Sequence, residues 1–107
     1  MNITFEYNNK PYCLEYSKQA VRTMENQGFS IEQIGEKPTT MIPMLFQGAF
    51  IKHHQGIKRK LVDEIYNSLD KDQLVVSLAE MYTDTVNSVL EGEAVEEAKK
   101  ISWTKNE

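Results

Sequence analysis

Two-residue alternation is confined almost entirely to the start of this chain, and that limits the fold more than any other feature. In residues 2–7, Ile3, Phe5 and Tyr7 fall on one side, and Asn2, Thr4 and Glu6 on the other. That is the period of a half-buried strand. Residues 12–16 repeat it, with Tyr12, Leu14 and Tyr16 set against Cys13 and Glu15. Between the two lies Asn8-Asn9-Lys10-Pro11. Asn tolerates positive φ and Pro11 has no N–H for a ladder, so a turn is expected there. The expected unit is a β-hairpin over residues 2–16, with strands at about 2–7 and 11–16. Two short strands make neither a sandwich nor a barrel. An isolated hairpin is marginal in water, so helices must cover its aromatic face.

Helical spacing fills the rest of the chain. Ser17 is placed to cap a helix at about 18–28, with Ala20, Val21 and Met24 as its stripe and Gly28 at its C′ position. Ser30-Ile31-Glu32-Gln33 has the form of a capping box, opening a short turn that Gly35 and Pro38 stop. A helix at about 40–54 carries Met41, Ile42, Met44, Leu45, Phe46, Ala49, Phe50 and Ile51, with Pro43 in its first turn. It is apolar nearly all round, which marks a central buried helix or a partner-binding one. Helices at about 58–69 and 71–91 follow, the second opened by Asp70-Lys71-Asp72-Gln73 as a cap. Their stripes are Leu61, Val62, Ile65 and Leu69, then Leu74, Leu78, Met81, Tyr82, Val86, Val89 and Leu90. The fold class expected is α+β, mainly α-helical, with the hairpin packed on a bundle of about four helices. Residues 1–90 form one globular domain. Residues 91–107 are a charged tail in which 101–104 has the makings of a short strand. The expected core includes Phe5, Leu14, Val21, Met24, Leu45, Ala49, Phe50, Leu61, Ile65, Leu78, Tyr82 and Val86.

Chemistry is sparse. The formal net charge is −4, which does not suit a bulk nucleic-acid binder. One cysteine among 107 residues rules out an internal disulfide and any Cys-based zinc cluster. No apolar run approaches the ~20 residues that span a bilayer, and the first residues lack a signal-peptide pattern. His53 and His54 are adjacent, so on a helix their rings diverge by about 100° and do not readily share an ion. The nearest acids in sequence are Glu36 and Asp63. The pair is therefore read as a helix C-terminus rather than as a metal site. Cys13 is read as a small hydrophobe. Lys52, Lys58, Arg59 and Lys60 cluster without an intervening acid, but no reader motif or phosphate loop accompanies them. The carboxylate pairs Asp63/Glu64, Asp70/Asp72 and Glu96/Glu97 lie in polar contexts where no shaped pocket is expected. No catalytic residue, metal or cofactor is expected.

Several segments in order resemble the tail assembly chaperones of long-tailed (siphovirus-type) bacteriophages and prophages of Gram-positive bacteria. They are the Tyr-rich hairpin ending Leu14-Glu15-Tyr16-Ser17, the stretch Ala20-Val21-Arg22-Thr23-Met24-Glu25-Asn26-Gln27-Gly28-Phe29, and Lys37-Pro38-Thr39-Thr40. After these come Leu45-Phe46-Gln47-Gly48-Ala49-Phe50 with His53-His54, and a closing Ile101-Ser102-Trp103. The resemblance spans residues 3 to 104. It implies a protein of the bacterial host cytoplasm that binds the tape measure protein, keeps it soluble while the tail tube polymerises, and is absent from the mature virion. It also implies a longer product made by translational frameshifting, whose added domain recruits the tail tube protein. No catalytic residue carries over. The alternative from another class is a small nucleic-acid-associated phage or prophage regulator using the 52–60 basic cluster.

The partner surface expected from the residues lies near Met41, Met44 and Phe46. Met41 and Phe46 differ in helical phase by about 140°, so one seam hardly covers both and some apolar area should remain for a partner or a second copy. Trp103 is the next candidate. Self-association into a homo-oligomer is expected.

Overall fold

The computed structural model describes residues 1–91. Strands β1 (Ile3–Tyr7) and β2 (Lys10–Leu14) pair antiparallel, with Ile3 opposite Leu14, Phe5 opposite Tyr12 and Tyr7 opposite Lys10. The turn is tighter than expected. Asn8 and Asn9 take φ of 53° and 65° and make the whole two-residue loop, which is the type I′ pattern that asparagine accommodates. Lys10 and Pro11 therefore belong to β2 rather than to the turn. Opposite residues share a face, so Phe5 stacks on Tyr12 with ring centroids 5.4 Å apart.

Four α-helices follow: α1 (Lys18–Asn26), α2 (Pro38–Gly48), α3 (Arg59–Ser68) and α4 (Leu74–Glu91), with a 3-10 turn at Ile31–Gln33. The architecture is the expected mainly helical α+β fold, a hairpin followed by four helices. The ends of α1 form as read. Ser17 Oγ accepts the Ala20 N–H at 3.0 Å. At the other end Gly28, at φ 97°, lets its own N–H reach the Glu25 carbonyl and the Phe29 N–H reach that of Met24. This is a Schellman motif, and Met24 and Phe29, which stand at the two positions of its usual hydrophobic contact, are both buried in the core cluster.

Three helix limits differ from expectation. Ser30 makes no side-chain cap, so the capping box is not formed. Helix α2 starts at Pro38 rather than near residue 40, which puts Pro43 in its interior, where the carbonyl of Thr39 loses its donor. It also ends at Gly48 instead of running to 54, because its last carbonyls are claimed by other partners. The Tyr16 hydroxyl donates to Leu45 O at 2.5 Å, and the backbone of Ala49, Phe50 and Ile51 turns in tightly on Phe46, Gln47 and Gly48. Finally, α4 starts at Leu74 rather than 71. Asp70 Oδ1 accepts the Asp72 N–H at 2.9 Å and Gln73 sits at φ 64°, so Asp70 closes a local turn instead of capping the helix.

Helix α2 is the axis of the core. Leu45, Phe46, Ala49 and Phe50 are at most 1% exposed. Tyr82 of α4 meets Tyr16 and Phe29 edge-on, and Phe46 meets Phe50 and Tyr66 in the same way. Leu14, Val21, Met24, Ile65, Leu78 and Tyr82 are buried as expected. Phe5, Leu61 and Val86 are half-buried at the margin of the same cluster. No helix among the described residues is long and apolar enough to cross a membrane.

Candidate functional site

Met41 and Phe46 do not offer the free apolar area expected of them. Met41 is 4% exposed and Phe46 1%. The 140° between them is covered because α2 is packed on several sides: the 3-10 turn and α1 take one flank, α3 another and α4 a third. Met44 is half-buried on the wall of a cleft of about 280 Å³ that Thr23, Gln47 and Ile51 also line. Trp103 and the 101–104 segment lie outside the described residues.

Apolar surface is exposed on α4 instead. Val76 is 52% exposed and Leu90 79%, and between them Ala79, Thr83 and Val86 are half-buried or exposed. The intervals are three, four, three and four residues, the heptad spacing of a coiled-coil seam. At 100° per residue the five positions fall within about 80° of the helix circumference. The core-facing stripe of Leu74, Leu78, Met81 and Tyr82 lies beside this seam, so α4 carries two apolar stripes. Glu80 and Asp84 border the seam on the side away from the core and line its shallow groove with Val76, Ala79 and Thr83. At its C-terminal end, Val86 and Leu90 share a groove with Val21, Arg22 and Glu25 of α1.

A second concentration of chemistry lies where β2 meets residues 49–54. In a two-residue hairpin the N–H groups of Pro11, Cys13 and Glu15 point away from β1. Pro11 has none to offer. The Cys13 N–H donates to His54 Nε2 at 3.0 Å, and the Glu15 N–H donates to Ala49 O at 3.0 Å. The open strand edge is thereby covered, which protects it from pairing with another chain. The Glu15 carboxylate completes the junction, with one oxygen 2.8 Å from His53 Nε2 and the other 2.9 Å from Lys52 Nζ. Those two partners hold its pKa below the usual carboxylate value. His54 packs against Tyr12 and Phe50, and burial pushes its pKa down, helped by the nearby His53 and Lys10. An accepting Nε2 places the ring proton on Nδ1.

The His pair thus closes a junction rather than a helix end. Sequence reasoning missed Glu15 as the acid beside His53, because the two are 38 residues apart. The only available signal was Glu15 itself, placed two residues beyond Cys13 on the same strand face. Cys13 Sγ, a Glu15 carboxylate oxygen and a His53 ring nitrogen lie within 4.8 Å of one another. Of the basic cluster, Lys52 is paired with Glu15, while Lys58, Arg59 and Lys60 are exposed at the start of α3.

Comparison with known proteins yields one match. A family model described as a domain of unknown function, DUF5055, aligns with residues 1–106. No curated protein and no solved structure matches.

Proposed function

The chain belongs to the DUF5055 family, and we propose that it is a phage tail assembly chaperone that holds the tape measure protein through the heptad seam of α4. The observation that carries this reading is the seam itself, Val76-Ala79-Thr83-Val86-Leu90, in which Val76, Thr83 and Leu90 are exposed while Ala79 and Val86 are half-buried where the seam meets the core. An apolar stripe at this spacing fits a helical partner by knobs-into-holes packing. Glu80 and Asp84 along its border favour a partner helix flanked by Lys or Arg. A long helical protein with exposed apolar faces is the kind of client such a seam would shield. The resemblance of the hairpin, α1 and the Leu-Phe-Gln-Gly-Ala-Phe segment to tail assembly chaperones supports the same assignment. The seam also suits a second copy of this chain, so we infer that self-association and client binding compete for α4. Recruitment of the tail tube protein by a longer frameshifted product belongs to the same proposal.

The test is to look for a very long helical reading frame just downstream of the gene and to co-express its product with this chain. The wild-type chain should keep that protein in the soluble fraction and co-purify with it. Val76→Asp combined with Leu90→Asp should abolish the complex and leave the helical circular dichroism intact, since both positions are exposed. If the double variant still holds the client, α4 is not the contact. If the wild type never does, the chaperone reading fails.

A further inference from the structure

We propose that Cys13, Glu15 and His53 form a binding site for a divalent transition metal of the Zn²⁺ type. A thiol, a carboxylate and an imidazole nitrogen within 4.8 Å of one another are close enough to become three corners of one tetrahedron. Thiolate and imidazole together select borderline-soft ions such as Zn²⁺ and Co²⁺ over Ca²⁺ or Mg²⁺. Cys13 and Glu15 are two residues apart and so lie on one face of the strand and its extension. His53 comes from the segment after α2.

The positioning of these three groups is built into the fold. The Cys13 N–H donates to His54 Nε2, and the Glu15 N–H donates to Ala49 O. Each bond fixes the backbone of a ligand residue, or of its immediate neighbour, against the opposite segment. The backbone that carries the ligands is thereby held before any ion arrives, which leaves side chains alone to be ordered on binding. The site opens on a shallow depression of about 440 Å³ bordered by Thr4, Phe5 and Tyr12, which gives an ion a path of entry and leaves the fourth corner to solvent.

Binding requires three rearrangements with definite consequences. The thiol gives up its proton to the medium and becomes the thiolate ligand, so binding strengthens as pH rises. The hydrogen bond between His53 Nε2 and Glu15 must open, with the ligating ring nitrogen free of its proton, and Lys52 must loosen its hold on the other Glu15 oxygen. Its ammonium is 2.9 Å from the carboxylate and its side chain is 40% exposed, so it can swing into water. Lys52 therefore competes with the metal for the Glu15 carboxylate, from the oxygen that His53 does not hold. That competition distinguishes a metal site from a merely structural ion pair.

Titration of the purified full chain with Co²⁺ tests the proposal. One equivalent should produce the near-ultraviolet thiolate-to-cobalt charge-transfer band, and Zn²⁺ should bleach it. His53→Ala, at an exposed position, should weaken Co²⁺ binding by more than about tenfold without changing the circular dichroism. Cys13→Ser should remove the band altogether. Lys52→Met should tighten binding, because it frees Glu15. Zn²⁺ should also raise the unfolding temperature of the wild type more than that of His53→Ala. Absence of the band in the wild type would overturn the proposal. So would its persistence at full affinity in His53→Ala, or a Lys52→Met variant that binds no better than wild type.

Discussion

His54 illustrates how one side chain can carry two elements. Its Nε2 is the acceptor for a strand N–H that has no other partner, so the ring must be neutral. Burial among Tyr12 and Phe50 favours the same state. The sign of the pH dependence follows. The unfolded chain takes up the proton near pH ~6.5, whereas the folded chain resists it to lower pH. The contribution of His54 is full above the unfolded value and is lost as pH falls through the folded one. Glu15 adds a second loss at more acid pH, below the unfolded carboxylate value, because its folded pKa is also depressed. Urea midpoints measured with a chelator present should fall in two stages between neutral and strongly acid pH. His54→Ala should cost about 1–3 kcal/mol at pH 7 by stranding the Cys13 N–H, and should flatten the first stage. Gly48 makes a separate case. A Cβ there would sit 2.2 Å from Met24 Sδ, and Met24 is 1% exposed. Gly48→Ala should therefore destabilise the fold by about 1–3 kcal/mol, despite alanine's better helix propensity. Thermal denaturation of the variant checks this. The His pair and Gly48 were both visible in the sequence. Their partners were not, since periodicity describes one element at a time and these contacts join distant ones.

At the level of elements, the helices and the hairpin were legible because each carries its own pattern: period two in β1 and β2, and helical spacing in the apolar residues of α1, α3 and α4. The ends were less legible, because tertiary partners decided them. Helix α2 stops at Gly48 where Tyr16 and the tight turn of Ala49 to Ile51 take over its carbonyls. The expected capping box at Ser30 and the cap at Asp70 gave way to a 3-10 turn and an Asx-type turn. Leu78, fully buried in the second turn of α4, should cost the fold about 2–5 kcal/mol on replacement by alanine, read as a lower urea midpoint. Phe46→Arg has a different outcome from the one its apolar neighbourhood first suggests. Phe46 lies between Phe50 and Tyr66 at 1% exposure, so a charge there should unfold the chain rather than cut a contact. Loss of the near-ultraviolet circular dichroism would register that. The candidate contact surface was the least legible part. The α4 seam interleaves with its core stripe, and the apolar positions of both read as a single broad face until packing assigns Leu74, Leu78, Met81 and Tyr82 to the interior.

For the molecule as a whole, the length of that seam sets how it can work. Val76 to Leu90 covers two heptad intervals, about 21 Å of helix. Two heptads bury little area, and the residues at the seam include small Ala79 and polar Thr83, so one copy should grip one short helix weakly. A long helical client offers many such segments in a row. Copies bound side by side can then also contact each other, and the effective concentration of each neighbour raises the occupancy of the whole array. Coating a long helix therefore calls for many copies of a small domain rather than for one tight interface. The acidic border contributes differently, because screened charges act mainly on the encounter rate. Calorimetry against a peptide of about three heptads cut from the client should accordingly give weak binding, with a dissociation constant in the micromolar range or above. The full-length client should saturate over a narrow range of chain concentration, with many copies bound. Raised salt should slow association in both cases and change dissociation little. If the short peptide binds as tightly as the full-length client, with one copy per client, the seam is a conventional one-to-one docking site and the coating model is wrong.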